Sequence, residues 1–343
     1  MIKNIAVFGT GANGSCIAAD LIHAGRDLSL IDQWPEHVET MRRDGLHIQM
    51  PEDALQVAAK AYHLCDVAAF TDPFDLIIIA VKAYDTRWTA QLAEPHLAGD
   101  GLMIGIQNAM TAGDIREIAG PARTLGCVIE LSSEIFTPGR VQRNTPPAKT
   151  WFGLGCLDGG PGERLEEVAE ILGHAGAVSV SDDIVSAKWM KLVVNTMCLG
   201  PMAMLGLNQQ EAAKLPGMRD LAVRVGTEAL AAGQTRGHKI VPIFGLGPED
   251  VADTNRLLEK LLDKLFSDIG PKARDCVLQD HLKGRYSEVD QINGLVVQDY
   301  EARGASAPAN AVIVEITRRI RAGELAPDPA NLDLAREMLA AMV

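Results

Sequence analysis

No stretch of this chain restricts the fold as tightly as residues 5–32. Ile5-Ala6-Val7-Phe8 is a short apolar run with the character of a buried strand. Gly9-Thr10-Gly11-Ala12-Asn13-Gly14 follows at once, and Ile17, Ala18, Leu21 and Ile22 then repeat at helical spacing. A second apolar run, Leu28-Ser29-Leu30-Ile31, ends at Asp32. Gly-x-Gly-x-x-Gly between a strand and a helix, in a unit of about 30 residues closed by an acid, is the dinucleotide-binding fingerprint in its required context.

Each residue type has a physical task there. Gly9 permits the tight turn out of the strand, Gly11 lets backbone approach a pyrophosphate, and Gly14 lets the helix lie close to the sheet. The helix start, with Ala12 and Asn13 in its first turn, offers N–H groups and partial positive charge to phosphates. Asp32 bears on the choice of nucleotide. A carboxylate at this strand end accepts the ribose hydroxyls of NAD and repels a 2′-phosphate. At ~4 Å and an effective dielectric near 20, that repulsion is roughly 4 kcal/mol. Gln33 and Trp34 supply no cation, and Arg42 and Arg43 lie further along, so NAD is expected ahead of NADP. Asp32 could instead cap a helix starting near Pro35.

The 343 residues suffice for two domains with separate cores. A net charge of −13 argues against nucleic acid as partner. No apolar run approaches ~18 residues, so no membrane span is expected. Met1-Ile2-Lys3-Asn4 leads directly into the first strand, so no signal peptide is expected. The six cysteines are scattered without Cys-x-x-Cys spacing, which argues against a disulfide framework or a metal site and points to a reducing, cytoplasmic compartment.

Residues 1–130 alternate strand and helix patterns, as in a mostly parallel sheet covered on both faces. Segments 35–44 and 86–98 read as helices; 46–50, 55–61, 74–82, 101–107 and 124–130 read as strands. Lys82, Asn108 and Glu130 fall at the carboxyl ends of strands, where such sheets bind ligands. Residues 131–180 are expected to extend the sheet by antiparallel strands, with a helix over 161–173 and a last strand at Ala177-Val178-Ser179-Val180. A boundary at Ser181-Asp182-Asp183 divides the chain into domains 1–181 and 182–343. From Ile184 on, long helices are expected over 184–206, 210–233, 248–267, 271–281, 286–303 and 308–322, with a short amphipathic helix ending the tail 324–343. The fold class is therefore α/β: a Rossmann-type, doubly wound N-terminal sheet followed by an all-helical domain. That helical half has enough apolar surface to bury in a homodimer.

Two polar clusters stand out in the helical half. In Trp189-Met190-Lys191-Leu192-Val193-Val194-Asn195, Lys191 and Asn195 share a face of an apolar helix. A lysine so placed can act as a proton donor, although a lysine taken alone is more often a solvated or snorkelling side chain. Glu288-Val289-Asp290-Gln291-Ile292-Asn293-Gly294 opens another helix. Ser287 or Asp290 could simply cap it, with Glu288 in its first turn.

Taken together, Gly9-x-Gly11-x-x-Gly14, Ala80-Val81-Lys82-Ala83, Gln107-Asn108, Trp189-x-Lys191-Leu192-x-x-Asn195 and Glu288-x-Asp290-x-Ile292-Asn293-Gly294 resemble, in order and spacing, the ketopantoate reductase (2-dehydropantoate 2-reductase) family, over nearly the whole chain. The resemblance implies an N-terminal Rossmann domain, a C-terminal helical domain and an active site in the cleft between them. It implies NAD(P)-dependent hydride transfer to or from a small carbonyl or alcohol substrate. Lys191 would be the general acid and Glu288 would orient substrate and lysine. Lys82 and Asn108 match cofactor-side positions. Asn195, Asn108 and Cys276 match substrate contacts. No metal is needed, because the lysine supplies the charge. Departures are visible. Asn108-Ala109 replaces the family's Asn-Gly, Cys276 replaces a serine, Leu199 replaces an asparagine, and Asp32-Gln33 replace the arginine of NADP-dependent members. Lost polar contacts make a site reject a polar substrate, so a bulkier or less polar substrate than ketopantoate is expected. A hydroxyacid or imine reductase, or a catalytically silent nucleotide sensor, are the alternatives.

Overall fold

The computed structural model describes residues 2–252, 256–270 and 273–342. The chain divides into two compact units, Met1–Ala187 and Lys188–Val343. Among the described residues the first contains twelve strands: β1 (Ile5–Phe8), β2 (Leu28–Asp32), β3 (Leu46–Gln49), β4 (Ala54–Val57), β5 (Lys60–His63), β6 (Phe74–Ile79), β7 (Leu97–Gly105), β8 (Thr124–Glu130), β9 (Ser133–Thr137), β10 (Arg140–Arg143), β11 (Trp151–Cys156) and β12 (Ala177–Val180). Its helices are α1 (Ala12–His23), α2 (Pro35–Asp44), α3 (Thr86–Ala93), α4 (Ala112–Ala119) and α5 (Leu165–Gly173).

Eight strands form the main sheet in the order β12-β11-β8-β7-β6-β1-β2-β5. The pairs from β8 to β5 are parallel, β11 runs antiparallel to β8, and β12 pairs parallel with β11. Strand residues alternate between two cores. Ile5, Val7, Leu30, Leu76 and Ile78 pack with Ile17 and Leu21 of α1. Ala6, Phe8, Ile31, Ile77 and Ile79 pack with Ala90 of α3 and Ile115 of α4. Both faces of the sheet are therefore covered, which explains why its strands read as unbroken apolar runs.

A second sheet, ordered β4-β3-β10-β9, lies outside the main one. The sequence reading treats 55–61 as one segment, whereas the structure divides it between β4 of the small sheet and β5 at the edge of the main sheet. Likewise only β11 and β12 extend the main sheet antiparallel, while β9 and β10 join β3. The expected helix 86–98 stops at Ala93, and the following strand starts at Leu97 rather than 101. The small sheet is tied inward by Arg143, wholly buried, whose Nη1 donates to Asp20 Oδ2 at 2.5 Å. The same guanidinium donates to Thr145 O, Thr150 Oγ1 and Ala175 O.

The second unit is helical: α6 (Ile184–Ala203, shared with the end of the first), α7 (Gln209–Ala212), α8 (Met218–Thr235), α9 (Pro248–Ala252), α10 (Leu257–Asp268), α11 (Cys276–Leu282), α12 (Val289–Glu301), α13 (Pro308–Arg321) and α14 (Asn331–Ala341). The expected helix 210–233 is two helices, because Pro216 and the left-handed Gly217 (φ +80°) interrupt it. The expected helices 248–267 and 271–281 cross residues 253–255 and 271–272, and the tail ends at Val343; these positions lie outside the described residues. No helix among the described residues is long and apolar enough to cross a membrane.

Helix α6 is apolar nearly all round, and only Val185 and Lys191 along it are not fully buried. Trp189 anchors it to α8 by donating Nε1–H to Ala229 O at 2.9 Å. Asn293 of α12 donates to Thr196 O (3.1 Å) and to Asn310 Oδ1 (3.0 Å), and Asn310 in turn donates to Glu228 Oε2 at 2.8 Å. Glu228 also receives the N–H groups of Ala309 and Asn310 at the start of α13.

Close packing of α6 on α8 depends on Gly233, where an added Cβ would lie 2.0 Å from Trp189 Nε1. Helix propensity alone favours alanine over glycine by about 1 kcal/mol. The clash outweighs it, so Gly233→Ala is expected to lower stability by about 1–3 kcal/mol, read as a lower urea midpoint.

Candidate functional site

The glycine turn is shaped by its contact with the end of β6. Gly9 has φ +92°, and a Cβ there would lie 2.6 Å from the Val81 nitrogen. A Cβ on Gly14 would lie 2.1 Å from the Gly9 carbonyl oxygen and 3.2 Å from Ala80 Cβ. Neither position admits a side chain. Gly11 differs: a Cβ there would meet nothing within 4 Å. Packing of the chain therefore does not account for that glycine, whereas close approach of a ligand does. Gly11 is the N-cap of α1, with no side-chain cap and no acidic residue in the first turn. The N–H groups of Ala12, Asn13 and Gly14 thus form a helix start suited to an anion. The Asn13 side chain faces β9, its Oδ1 accepting from Ser133 Oγ at 2.6 Å.

Asp32 does not cap α2. Its Oδ2 accepts from the Thr10 N–H (2.6 Å) and the Thr10 hydroxyl (3.1 Å), and its Oδ1 from the Trp34 N–H (2.8 Å). It fixes the residue between the first two glycines. The other side of Thr10 is fixed too, since its carbonyl accepts from Ser15 Oγ at 2.6 Å and lies 2.7 Å from His37 Nε2. His37 Nδ1 accepts from the Gly139 N–H at 2.8 Å. Nδ1 therefore carries a lone pair, and Nε2–H donates to Thr10. Burial pushes His37 below its usual pKa, against the opposing pull of Asp32 and the Thr10 carbonyl.

Lys82 follows directly on the Ala80–Val81 contact and precedes Thr86 at the start of α3. Asn108 lies beyond β7, the strand next to β6. Gln107 links the two loops, donating to Thr86 Oγ1 at 2.8 Å and accepting from Thr111 Oγ1 at 3.3 Å. The glycine turn, Asp32, Lys82 and Asn108 thus share the carboxyl edge of four adjacent strands, β2, β1, β6 and β7. Ala109, where the family resemblance implies glycine, holds φ +63°, a left-handed conformation for a residue with a Cβ.

In the second unit, Lys191 and Asn195 lie four apart on α6, Lys191 half-buried and Asn195 buried. Lys191 Nζ sits 4.7 Å from the centre of the Phe244 ring. Glu288, buried, occupies the N-cap position of α12 without its side chain capping the helix. Asp290 is not a cap either; it accepts the Tyr286 hydroxyl. The Asn293–Thr196 bond lays the start of α12 against α6, and a Cβ on Gly200 would lie 3.5 Å from Val289, the neighbour of Glu288. Cys276 is the first residue of α11, half-buried, after Asp275 Oδ1 has accepted the N–H groups of Val277 and Leu278. None of the six cysteines is in a disulfide.

Sequence reasoning missed Thr10, His37, Lys188 and Phe244. Lys188 is buried one helical turn before Lys191, and its spacing was the available signal. Nothing in the sequence marks Phe244, which lies in an irregular connection between α8 and α9.

Two outcomes follow from this geometry. Ala109→Gly removes a left-handed penalty of roughly 1–2 kcal/mol against about 0.5–1 of added chain entropy. A net stabilisation of up to about 1 kcal/mol is expected in chemical denaturation. For His37 the folded pKa is below its ordinary 6.5, so its contribution is intact above that value and is lost as pH falls below it. Stability is expected to decline there, read by chemical denaturation across that pH range, and His37→Gln is expected to lose this component of the pH dependence.

Comparison with known proteins agrees with both halves. The family described as "Ketopantoate reductase PanE/ApbA" matches residues 5–155, and its C-terminal counterpart, "Ketopantoate reductase PanE/ApbA C terminal", matches residues 183–321. The 2-dehydropantoate 2-reductase of Pyrococcus abyssi is 27% identical over 316 residues, covering 90% of this chain and 95% of its own. That of Caulobacter vibrioides is 26% identical over 325 residues, covering 92% and 98%. A crystal structure of a PanE/ApbA family ketopantoate reductase from Ralstonia eutropha JMP134 aligns with a TM-score of 0.76 and 25% identity, covering 93% of this chain and 99% of that one. A D-mandelate dehydrogenase solved with NADH and anilino(oxo)acetate shares the fold at a TM-score of 0.81 and 20% identity, with the same coverage. The chain belongs to the ketopantoate reductase family and is an oxidoreductase of that family.

Proposed function

We propose that this enzyme exchanges hydride between a nicotinamide cofactor, NAD in preference to NADP, and a small ketone or alcohol. Residues 1–181 hold the cofactor, and residues 182–343 supply the acid and substrate contacts. The observation that carries the reading is the open space at Gly11 beside the uncapped start of α1. That is the cradle a pyrophosphate needs. Gly9, Gly14, Ala12 and Asn13 form its walls, and Lys82 and Asn108 extend it along the sheet edge.

Three observations support NAD. Asp32 stands at the end of β2. Three hydrogen bonds from Thr10 and Trp34 reach it, and a carboxylate has about four acceptor sites, which leaves capacity for a ribose hydroxyl. Arg42 is engaged by Ala61 O, Glu39 and Asp66, and Arg43 by Asp44. These arginines are thus committed away from a 2′-phosphate.

Nicotinamide, when bound, supplies or accepts the hydride. Lys191 donates a proton to the carbonyl oxygen in reduction and accepts it in oxidation, and its positive charge stabilises the developing alkoxide. Glu288 orients substrate and lysine, while Asn195, Asn108 and Cys276 contact the substrate. Leu199, buried on α6 eight residues after Lys191, and Cys276 favour a substrate less polar than ketopantoate. The compartment we assign is the reducing cytoplasm, from the scattered cysteines and their spacing.

The test is titration with NADH and NADPH, followed by turnover of 2-dehydropantoate, aryl-substituted 2-oxo acids and imines at fixed cofactor. NADH is expected to bind more tightly. Lys191→Ala is expected to lower kcat roughly a hundredfold to ten-thousandfold with cofactor binding intact. Cofactor binding without turnover of any probe would favour a silent sensor instead.

A further inference from the structure

We propose that Phe244 is a positioning residue for the Lys191 ammonium, holding it by the face of its ring; this rests on Lys191 being the general acid. The ring centre lies 4.7 Å from Nζ, within the range in which an aromatic face attracts a cation. The ring is not a chance surface neighbour. Phe244 and Ile243 before it are 5% and 1% exposed, although both belong to an irregular connection.

The backbone around Phe244 is specialised to present it. Leu246 N donates to Ile243 O at 3.1 Å, and the two residues inside this turn are left-handed, Phe244 at φ +59° and Gly245 at φ +71°. Such primed turns ordinarily place Asn, Asp or Gly at the first of these positions. A bulky aromatic with positive φ is a genuine outlier, of the kind that persists only where its surroundings over-determine it. The same connection is fastened to α6 at a second point. The His238 ring lies 4.9 Å from that of Trp189, and Trp189 is itself held by Ala229 O. Two contacts of one connection therefore fall on Trp189 and Lys191, two residues apart on α6.

The chemistry explains why a ring suits this task. A lysine side chain is a point charge on a flexible four-carbon stem, and its proton must be aimed to be transferred. A carboxylate such as Glu288 orients the ammonium by accepting one of its N–H bonds, so a further contact that takes no N–H leaves another free to be donated. A ring face attracts the charge through its quadrupole and has no lone pair to take that proton. It also covers one side of the ammonium against water.

Replacing Phe244 by pentafluorophenylalanine keeps its shape and removes the attractive face; Phe244→Leu removes the ring; Phe244→Tyr keeps it. In full-length protein whose lysines carry ¹³C-methyl groups by reductive methylation, the Lys191 methyl resonance, identified by its loss in Lys191→Arg, is expected upfield. It should return to the ordinary lysine position in Phe244→Leu. With NADH and whichever of 2-dehydropantoate or phenylglyoxylate is turned over, the fluorinated protein is expected to lose roughly threefold to thirtyfold in kcat. The KM for NADH should stay unchanged, and Phe244→Tyr should retain most of the rate. An unshifted Lys191 resonance in the parent, or an unchanged kcat in the fluorinated protein, overturns the proposal. Lys191→Ala separates the two ideas. If it abolishes turnover while the fluorinated protein is unaffected, only the role of Phe244 fails. If Lys191→Ala remains active, the general-acid reading fails and this proposal with it.

Discussion

The close seat of the glycine turn on the end of β6 governs the first unit. With Gly9 against Val81 and Gly14 against Gly9 and Ala80, the start of α1 is fixed relative to the sheet to within the thickness of a methyl group. Everything else at that edge is aligned by this contact. Thr10 is clamped between Asp32 on β2 and His37 on α2. The loops bearing Lys82 and Asn108 are joined through Gln107. The helix end is thereby fixed by the chain's own packing, and an end held in this way would lose little ordering entropy on taking a ligand.

The second unit is organised differently. Helix α6 packs among others, and an amide and carboxylate relay runs through the bundle from Thr196 by way of Asn293 and Asn310 to Glu228. Such a relay specifies which turn of one helix meets which turn of another, because each donor has one well-placed acceptor. It thereby helps to set the register at which α6 presents the half-buried Lys191 and the buried Asn195.

Much of this was legible in the residues. The fingerprint at 9–14, the parallel sheet and the helical second half follow from spacing and periodicity alone, as does the placing of Lys82 and Asn108 at strand ends. What was not legible depends on contacts distant in sequence. The separation of β4 from β5 is decided by β10, more than eighty residues later, which pairs with β3. Asp32 looked like a helix cap or a ribose ligand, yet it also braces Thr10, a use visible only once the strand end is folded onto the turn. Phe244 lay in a stretch with no periodicity, where a left-handed aromatic cannot be anticipated from composition.

The small sheet carries a consequence for how the protein is made. Its central parallel pairing joins residues near 48 to residues near 141, Arg143 reaches back to Asp20, and the Ile2 N–H donates to Glu167. The glycine fingerprint is complete within the first thirty-two residues, but these supports come more than a hundred residues later on a growing chain. During synthesis the opening strand and helix must wait, partly unsupported, until the segment beyond β11 has left the ribosome. A fragment ending at Glu130 would contain every glycine of the turn and still lack Arg143, the two strands β9 and β10 that complete the small sheet, and the Glu167 that latches Ile2.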